Sequence, residues 1–281
     1  MVKLVYFTTA RTMDQYTFDH NWKEERDRLA SIERMLDPIT VHRLEAIGIK
    51  DGWRCLEVGA GGGSIAEWLC DKVGPHGSVV ATDLQTKFLE ALRFPNLEIR
   101  RHDIRHDQLE AASFDLITAR KVLEHLPNPA LVLRRLVDAL RPDGWILVED
   151  ADFISFTSVA APRPKLFQRV APRFIEAMTA AGYQPYFGRT IGCEMRNLGL
   201  SDVKVEGRTG EWNCGKDDPA GTLFKLTFQR LRDRVIQAGS ISTVEVDEFL
   251  ADTQTPEFTG LGPISFAAWG QKPNSLGISR S

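Results

Sequence analysis

The chain has 281 residues, of which 43% are hydrophobic and 26% charged, a balance that fits a soluble globular protein with one large domain or one domain carrying a sizeable insertion. A formal net charge of -3 and the lack of any long basic run argue against broad affinity for nucleic acid or acidic membranes. The four cysteines (Cys55, Cys70, Cys193, Cys214) form no CxxC pair and no HExxH lies near them, so neither a disulfide framework nor a metal site is expected.

The opening stretch MVKLVYFTTARTMDQY has only a brief apolar run, without the core of a secretory signal, and no segment reaches the length of a membrane span. A cytoplasmic protein with no membrane partner is the expectation. From Asp19 to Ile47 the apolar positions Trp22, Leu29, Ile32, Leu36, Val41, Leu44 and Ile47 recur at helical spacing. Asp37-Pro38 predicts a break between two helices, and Gly48 ends the second.

Strands and helices then alternate. Strands are expected at Trp53–Val58, Ser78–Thr82, Leu97–Arg101, Phe114–Ala119 and Trp145–Val148, and helices at Ser64–Val73, Thr86–Leu92 and Pro129–Leu140. Such alternation implies parallel βαβ units. Beyond Asp150 the rhythm changes. Proline steps lead into helical stretches at Phe167–Ala181 and Ile191–Leu198 and a strand at Val203–Glu206. Helices over 219–238 and Val244–Ala251 and a last strand at Ile264–Trp269 follow, and Pro273–Ser281 is expected to be a disordered tail. Four segments result: an N-terminal helical flap (1–48), a ligand-binding core (49–150), the rest of the sheet with an inserted helical lid (151–272) and the tail (273–281).

The stretch LEVGAGGGS, Leu56 to Ser64, joins the first strand to the first helix of the core. In an open parallel sheet, ligands lie beyond the carboxyl ends of the strands. Glycines there let a ligand approach the backbone, and the following helix offers its free N–H groups. A tight turn without a ligand needs fewer than four glycines. A dinucleotide fingerprint would have glycine where Ser64 stands, and no P-loop GK[ST] follows. Glu57 decides against a diphosphate, because a carboxylate there repels it and suits an ammonium or sulfonium instead. Asp83, ending the second strand, can accept from both hydroxyls of a ribose. Asp103, ending the third, can accept from an exocyclic adenine amine, with Ile104 packing on the ring. Three acids at three successive strand ends describe adenosine joined to a cationic amino-acid portion.

Here the sequence resembles the class I S-adenosylmethionine-dependent methyltransferases. The resemblance rests on E-x-G-x-G-x-G from Glu57 to Gly63, VVATDL with Asp83, RHDI with Asp103, and FDLITARKVLEHLPNP followed by LRPDGWILVED, and it covers roughly residues 50–150. It implies an α/β, Rossmann-like, doubly wound seven-stranded sheet with its last strand antiparallel, a place that ISFAAW can fill. It also implies S-adenosylmethionine as cofactor. Gly59, Ala60 and Gly61 would contact its methionine part, Asp83 and Leu84 the ribose side, Asp103 and Ile104 the adenine, and Ala119 and Arg120 the cofactor from strand four.

Methyl transfer to a hydroxyl gains from a general base, whereas a free amine or a phenolate needs none. His125, in VLEHLPNP, is the candidate base, with a capping or packing role as the alternative. Glu149, Asp150 and Asp152 could bind a cationic acceptor, act as a base, or be solvated. EDAD is too compact to suggest a metal set. The Arg120 side chain could lie over an acceptor or form a surface ion pair. Tyr16 could cover the sulfonium from the flap by a cation–π contact, as could Trp22, which otherwise packs in the core. The stripe Phe224, Phe228, Leu231, Val235 is either core or the roof of an acceptor pocket.

The expected function is therefore methylation of an O, N or C nucleophile on a small molecule. Alternatives are a cofactor-binding module without methylation, or a methyltransferase acting on a macromolecule. Nucleic acid is not expected as substrate, because the N/D-P-P-Y motif is missing after strand four. A homo-oligomer stays open.

Overall fold

A computed structural model describes residues 21–215 and 217–274. The element order is α1 (Glu25–Ile47), β1 (Arg54–Val58), α2 (Ser64–Val73), β2 (Ser78–Asp83), β3 (Leu97–Arg101), β4 (Phe114–Arg120), α3 (Pro129–Ala139), β5 (Leu140–Asp152), β6 (Thr157–Ala160), α4 (Pro164–Ala180), α5 (Ile191–Asn197), β7 (Ser201–Arg208), β8 (Glu211–Asn213), α6 (Pro219–Gln237), α7 (Thr243–Asp252), β9 (Thr259–Leu261) and β10 (Ile264–Gln271). Seven strands form one sheet in the order β3-β2-β1-β4-β5-β10-β7. The pairs among β3, β2, β1, β4 and β5 are parallel, and β10 runs antiparallel to both β5 and β7. ISFAAW therefore fills the antiparallel place expected of it.

The central strands are buried on both faces, which is why β1 and β2 read as continuous apolar runs rather than alternating ones. On one face, α3 and α5 pack Leu133, Leu136, Ile191 and Met195 against Leu56, Ile117 and Ile146. On the other, α2 presents Ile65, Leu69 and Val73, at helical spacing, with Leu44 of α1 against Leu116, Leu147 and Trp269. Strand order reverses between β1 and β4, so the crevice at their carboxyl ends is where a ligand belongs.

The segment expected to form a lid has a core of its own. Helices α4, α6 and α7 enclose Phe167, Phe174, Phe228, Phe249 and Phe258 around Trp212. Local signals set its helices: Asp218 caps the backbone N–H groups of Ala220 and Gly221 ahead of Pro219, and Ser242 and Glu245 form a reciprocal capping box. A small antiparallel sheet, β6-β9-β8, closes this core, and its three- and four-residue strands were too short to show in the sequence pattern.

Two other elements depart from expectation. The helix-breaking reading of Pro38 fails, since α1 runs unbroken through it. Tertiary anchoring outweighs the lost backbone hydrogen bond: Thr40, Arg43 and Leu44, just beyond the proline, are all buried. Thr86–Leu92 supplies only a single 3₁₀ turn, Leu89–Ala91. Of the expected tail, 275–281 lie outside the described residues.

Candidate functional site

The turn after β1 carries positive φ at Gly59 (68°), Gly61 (56°) and Gly63 (91°). Packing accounts for part of this glycine demand. A β-carbon on Gly59 would stand 2.3 Å from Val122 Cγ2, and one on Gly62 would stand 1.9 Å from Glu33 Oε1. The loop is thus pressed between the β4 turn and α1, with its backbone left as the floor of a cavity. That cavity, about 430 Å³, opens over Glu57, Gly59, Ala60, Gly61, Asp83 and Leu84 and continues to Asp103 and Ile104.

Three acids stand at the ends of β1, β2 and the turn after β3. Glu57 is buried and its Oε2 has no hydrogen-bond partner among the described residues. Burial pushes its carboxyl up to about 8; Arg120 works against that, while Asp37 and Asp83 add to it. Asp83 accepts from the Gly61 N–H (2.9 Å) and the Gln85 N–H (3.1 Å), which fixes its carboxylate beside the glycine turn. The Asp103 carboxylate is already bound by the Arg105 guanidinium at 2.7–3.1 Å, which holds it below its ordinary range. Arg120 reaches this cavity but turns its side chain to α1, pairing with Asp37 at 2.8 Å and donating to Thr40 at 3.1 Å. Ala119 is buried in the core and does not line the wall. Its small side chain packs inside the sheet, as alternation along β4 requires. Tyr16 lies outside the described residues.

A second cavity of about 510 Å³ adjoins the first, under the lid. Arg28, Ile32, Lys121, His125, Met178 and Tyr183 line both. Phe224, Phe228 and Leu231 belong both to the core around Trp212 and to the wall of the second cavity, while Val235 lies in the core alone. His125 sits at the junction, its ring 4.9 Å from that of Tyr183. Desolvation lowers its pKa to about 4, so the imidazole is neutral at physiological pH.

The acids at the end of β5 are bound into the scaffold by partners within the protein. Glu149 accepts from Thr40 (2.6 Å) and pairs with the buried Arg43. Asp150 accepts from the Val122 N–H at 3.1 Å, and burial raises its carboxyl well above the carboxylate range. Asp152 pairs with Arg189 and caps the Ile154 N–H. No group of three or more metal-ligating side chains occurs among the described residues.

Sequence reading expected a helical flap but missed the charged residues that α1 brings to the cavity. Glu25 and Arg28 form a buried ion pair (2.7 and 2.8 Å) that lines the first cavity. Their i, i+3 spacing was visible, but it looks the same on a solvated helix face. Lys121, just past β4 with φ of 58°, lines both cavities, and nothing in the sequence marked it.

These features fit an adenosyl ligand with a cationic amino-acid end. The glycine floor accepts a close approach, and the orphaned buried Glu57 oxygen needs a donor. The chain also matches the family described as a methyltransferase domain, over residues 22–205. It belongs to the class I S-adenosylmethionine-dependent methyltransferases. Among its relatives, methyltransferase str2 of Strobilurus tenacellus is 29% identical over 195 residues, 69% of this chain and 70% of that protein. A ubiquinone biosynthesis O-methyltransferase of Paracidovorax citrulli is 28% identical over 135 residues, 45% of this chain and 55% of the relative. The fold of this methyltransferase is similar to that of a methyltransferase structure from Bacillus halodurans, with a TM-score of 0.55 and 17% identity over 82% of this chain and 97% of the other. The methyltransferase uses S-adenosylmethionine, which supplies a sulfonium-bound methyl group. No helix among the described residues is long and apolar enough to cross a membrane.

Proposed function

We propose that this methyltransferase alkylates an oxygen of a small, largely apolar molecule held in the second cavity. The observation that carries the reading is the shared wall. An apolar space of about 510 Å³ meets the cofactor cavity at His125, Lys121 and Tyr183, where a transferable methyl would face an acceptor. A cavity of that size under a folded lid suits a small molecule. The O-methyltransferases among the relatives favour oxygen as the accepting atom.

In this reading Glu57 holds the cofactor's ammonium, Asp83 its ribose, and Ile104 its adenine. Gly59, Ala60 and Gly61 give the methionine part its floor. Asp103, already engaged by Arg105, contributes to the adenine side as one half of that pair. Tyr16 would close over the cofactor from the flap. Neutral His125 takes the acceptor's proton, and Arg28 with Glu25 walls off water. The flap, core and lid act as three functional units within the chain. The free state of all four cysteines suits a reducing, cytoplasmic setting.

The test is release of S-adenosylhomocysteine across a panel of hydroxylated apolar compounds, with Ile39→Trp as the probe of place. Ile39 lines the second cavity and not the first. The substitution is expected to raise the acceptor KM at least tenfold while leaving S-adenosylhomocysteine affinity unchanged. An unchanged acceptor KM would put the acceptor elsewhere.

A further inference from the structure

We infer that Lys121 is a catalytic electrostatic residue that holds the acceptor oxygen as an anion, so the substrates are ring-bearing apolar molecules with a weakly acidic hydroxyl, not aliphatic alcohols or amines. This rests on the reading of the second cavity as the acceptor site.

Lys121 occupies a backbone conformation that L-residues rarely adopt, at φ of 58°. Two bonds enforce it: its own N–H donates to the Glu149 carbonyl at 2.7 Å, and the next N–H, of Val122, donates to Asp150 Oδ1 at 3.1 Å. Asparagine or glycine would sit there with less strain, so the fold maintains a lysine at a cost. That geometry sets the side chain at the junction of the two cavities, where it is only 17% exposed.

The charges around Lys121 come from several elements. On α1, Arg28 is neutralised by Glu25. Glu124 Oε1 is 3.6 Å from Lys121 Nζ, beyond hydrogen-bond length, while its other oxygen is held by the Ala151 N–H. His125 is neutral at physiological pH, burial favours the neutral form of Asp150, and Tyr183 from beyond α4 completes the ring of polar groups. An acceptor oxyanion would therefore meet a lysine that Glu124 engages only loosely.

The rest of the cavity decides what carries that oxygen. Phe153, Phe156, Phe174, Phe224 and Phe228 line it, a surface for a flat apolar body. In so apolar a space the sign of the charge change matters. The acceptor's proton passes by way of His125 to solvent, so no cation is left beside Lys121. The oxygen lone pair then forms the O–CH₃ bond while the CH₃–S bond breaks, its electron pair staying on sulfur, and a neutral ether and a neutral thioether result. An amine acceptor would instead leave a new cation beside Lys121. An aliphatic alcohol is too weak an acid for one lysine to ionise.

The test uses 4-nitrophenol, whose absorption distinguishes phenol from phenolate, with the protein saturated by S-adenosylhomocysteine. Saturable binding is expected, with the bound dye's ionisation midpoint lowered by about one pH unit, a tenfold change in its ionisation constant. Lys121→Asn removes the charge and tolerates the left-handed backbone, and it should abolish the lowering. Lys121→Arg should keep it. Thermal midpoint and S-adenosylhomocysteine affinity check that each variant is folded. Dye bound at an unshifted or raised midpoint in the wild-type protein, or an equal lowering in Lys121→Asn, overturns the role of Lys121 and leaves the cavity reading standing. Failure of the wild-type complex to bind the dye saturably overturns the cavity reading, and the inference falls with it.

Discussion

Glu57 offers the sharpest test of how the site is built. Its carboxyl is raised from an ordinary 4.5 to about 8 by burial, and Oε2 has no hydrogen-bond partner among the described residues. A folded-state value above the unfolded one means that stability is fully present below pH 4.5 and is lost as pH rises toward 8. Between pH 4.5 and pH 7 the unfolded chain ionises this group while the folded protein does not. At about 1.4 kcal/mol per pH unit, that interval costs the ligand-free enzyme on the order of 3–4 kcal/mol. Glu57→Gln removes the titration, so the difference in unfolding free energy between variant and wild type should move by roughly that amount, in the variant's favour. Denaturant unfolding of both proteins at pH 5 and pH 7.5 measures it. The same carboxyl must ionise to hold an ammonium, so S-adenosylhomocysteine binding near pH 7 should release close to one proton from the wild type and none from the variant. Calorimetry in two buffers of different ionisation enthalpy reads this directly. Parallel stability profiles together with equal proton release would refute the assignment.

Asp83→Ala should weaken S-adenosylhomocysteine binding about 10- to 100-fold, the loss of charged hydrogen bonds worth 1.5–3 kcal/mol, as measured by calorimetry. Gly59→Ala places a β-carbon 2.3 Å from Val122 Cγ2 at a φ of 68°, so it should destabilise the enzyme by about 2 kcal/mol or more. Val122→Ala in the same chain should restore part of that loss in a thermal melt. His125, with its pKa lowered from 6.5 to about 4, contributes stability that is present above pH 6.5 and lost as pH falls toward 4. His125→Leu should therefore resist acid unfolding better than wild type, while turnover drops about 100-fold or more if the imidazole takes the proton. Arg43→Met alone should cost about 3–5 kcal/mol by stranding the buried Glu149, and Arg43→Met with Glu149→Leu should recover most of it in urea unfolding.

The sheet and the floor of the first cavity were legible in the chain because they are local. A strand, a glycine turn and a helix lie within twenty residues, and each acid at a strand end takes its place from the strand preceding it. Val80 and Ile117 can only be interior, and Glu57 and Asp83 close strands whose apolar runs announce them. The second cavity was not legible, because it is assembled from α1, the β4 turn, α4 and α6, segments separated by up to about two hundred residues. Glu149 and Asp150 look like solvent-facing charges until Arg43 and the Val122 N–H arrive from elsewhere. Arg28 looks like a surface arginine until Glu25 pairs with it in the wall of the cavity. Periodicity specifies which face of an element is apolar, and that was enough to order a parallel sheet. Which charges are buried, what neutralises them, and which lysine is left facing the junction of two cavities depend on long-range packing, and only the folded chain decided those.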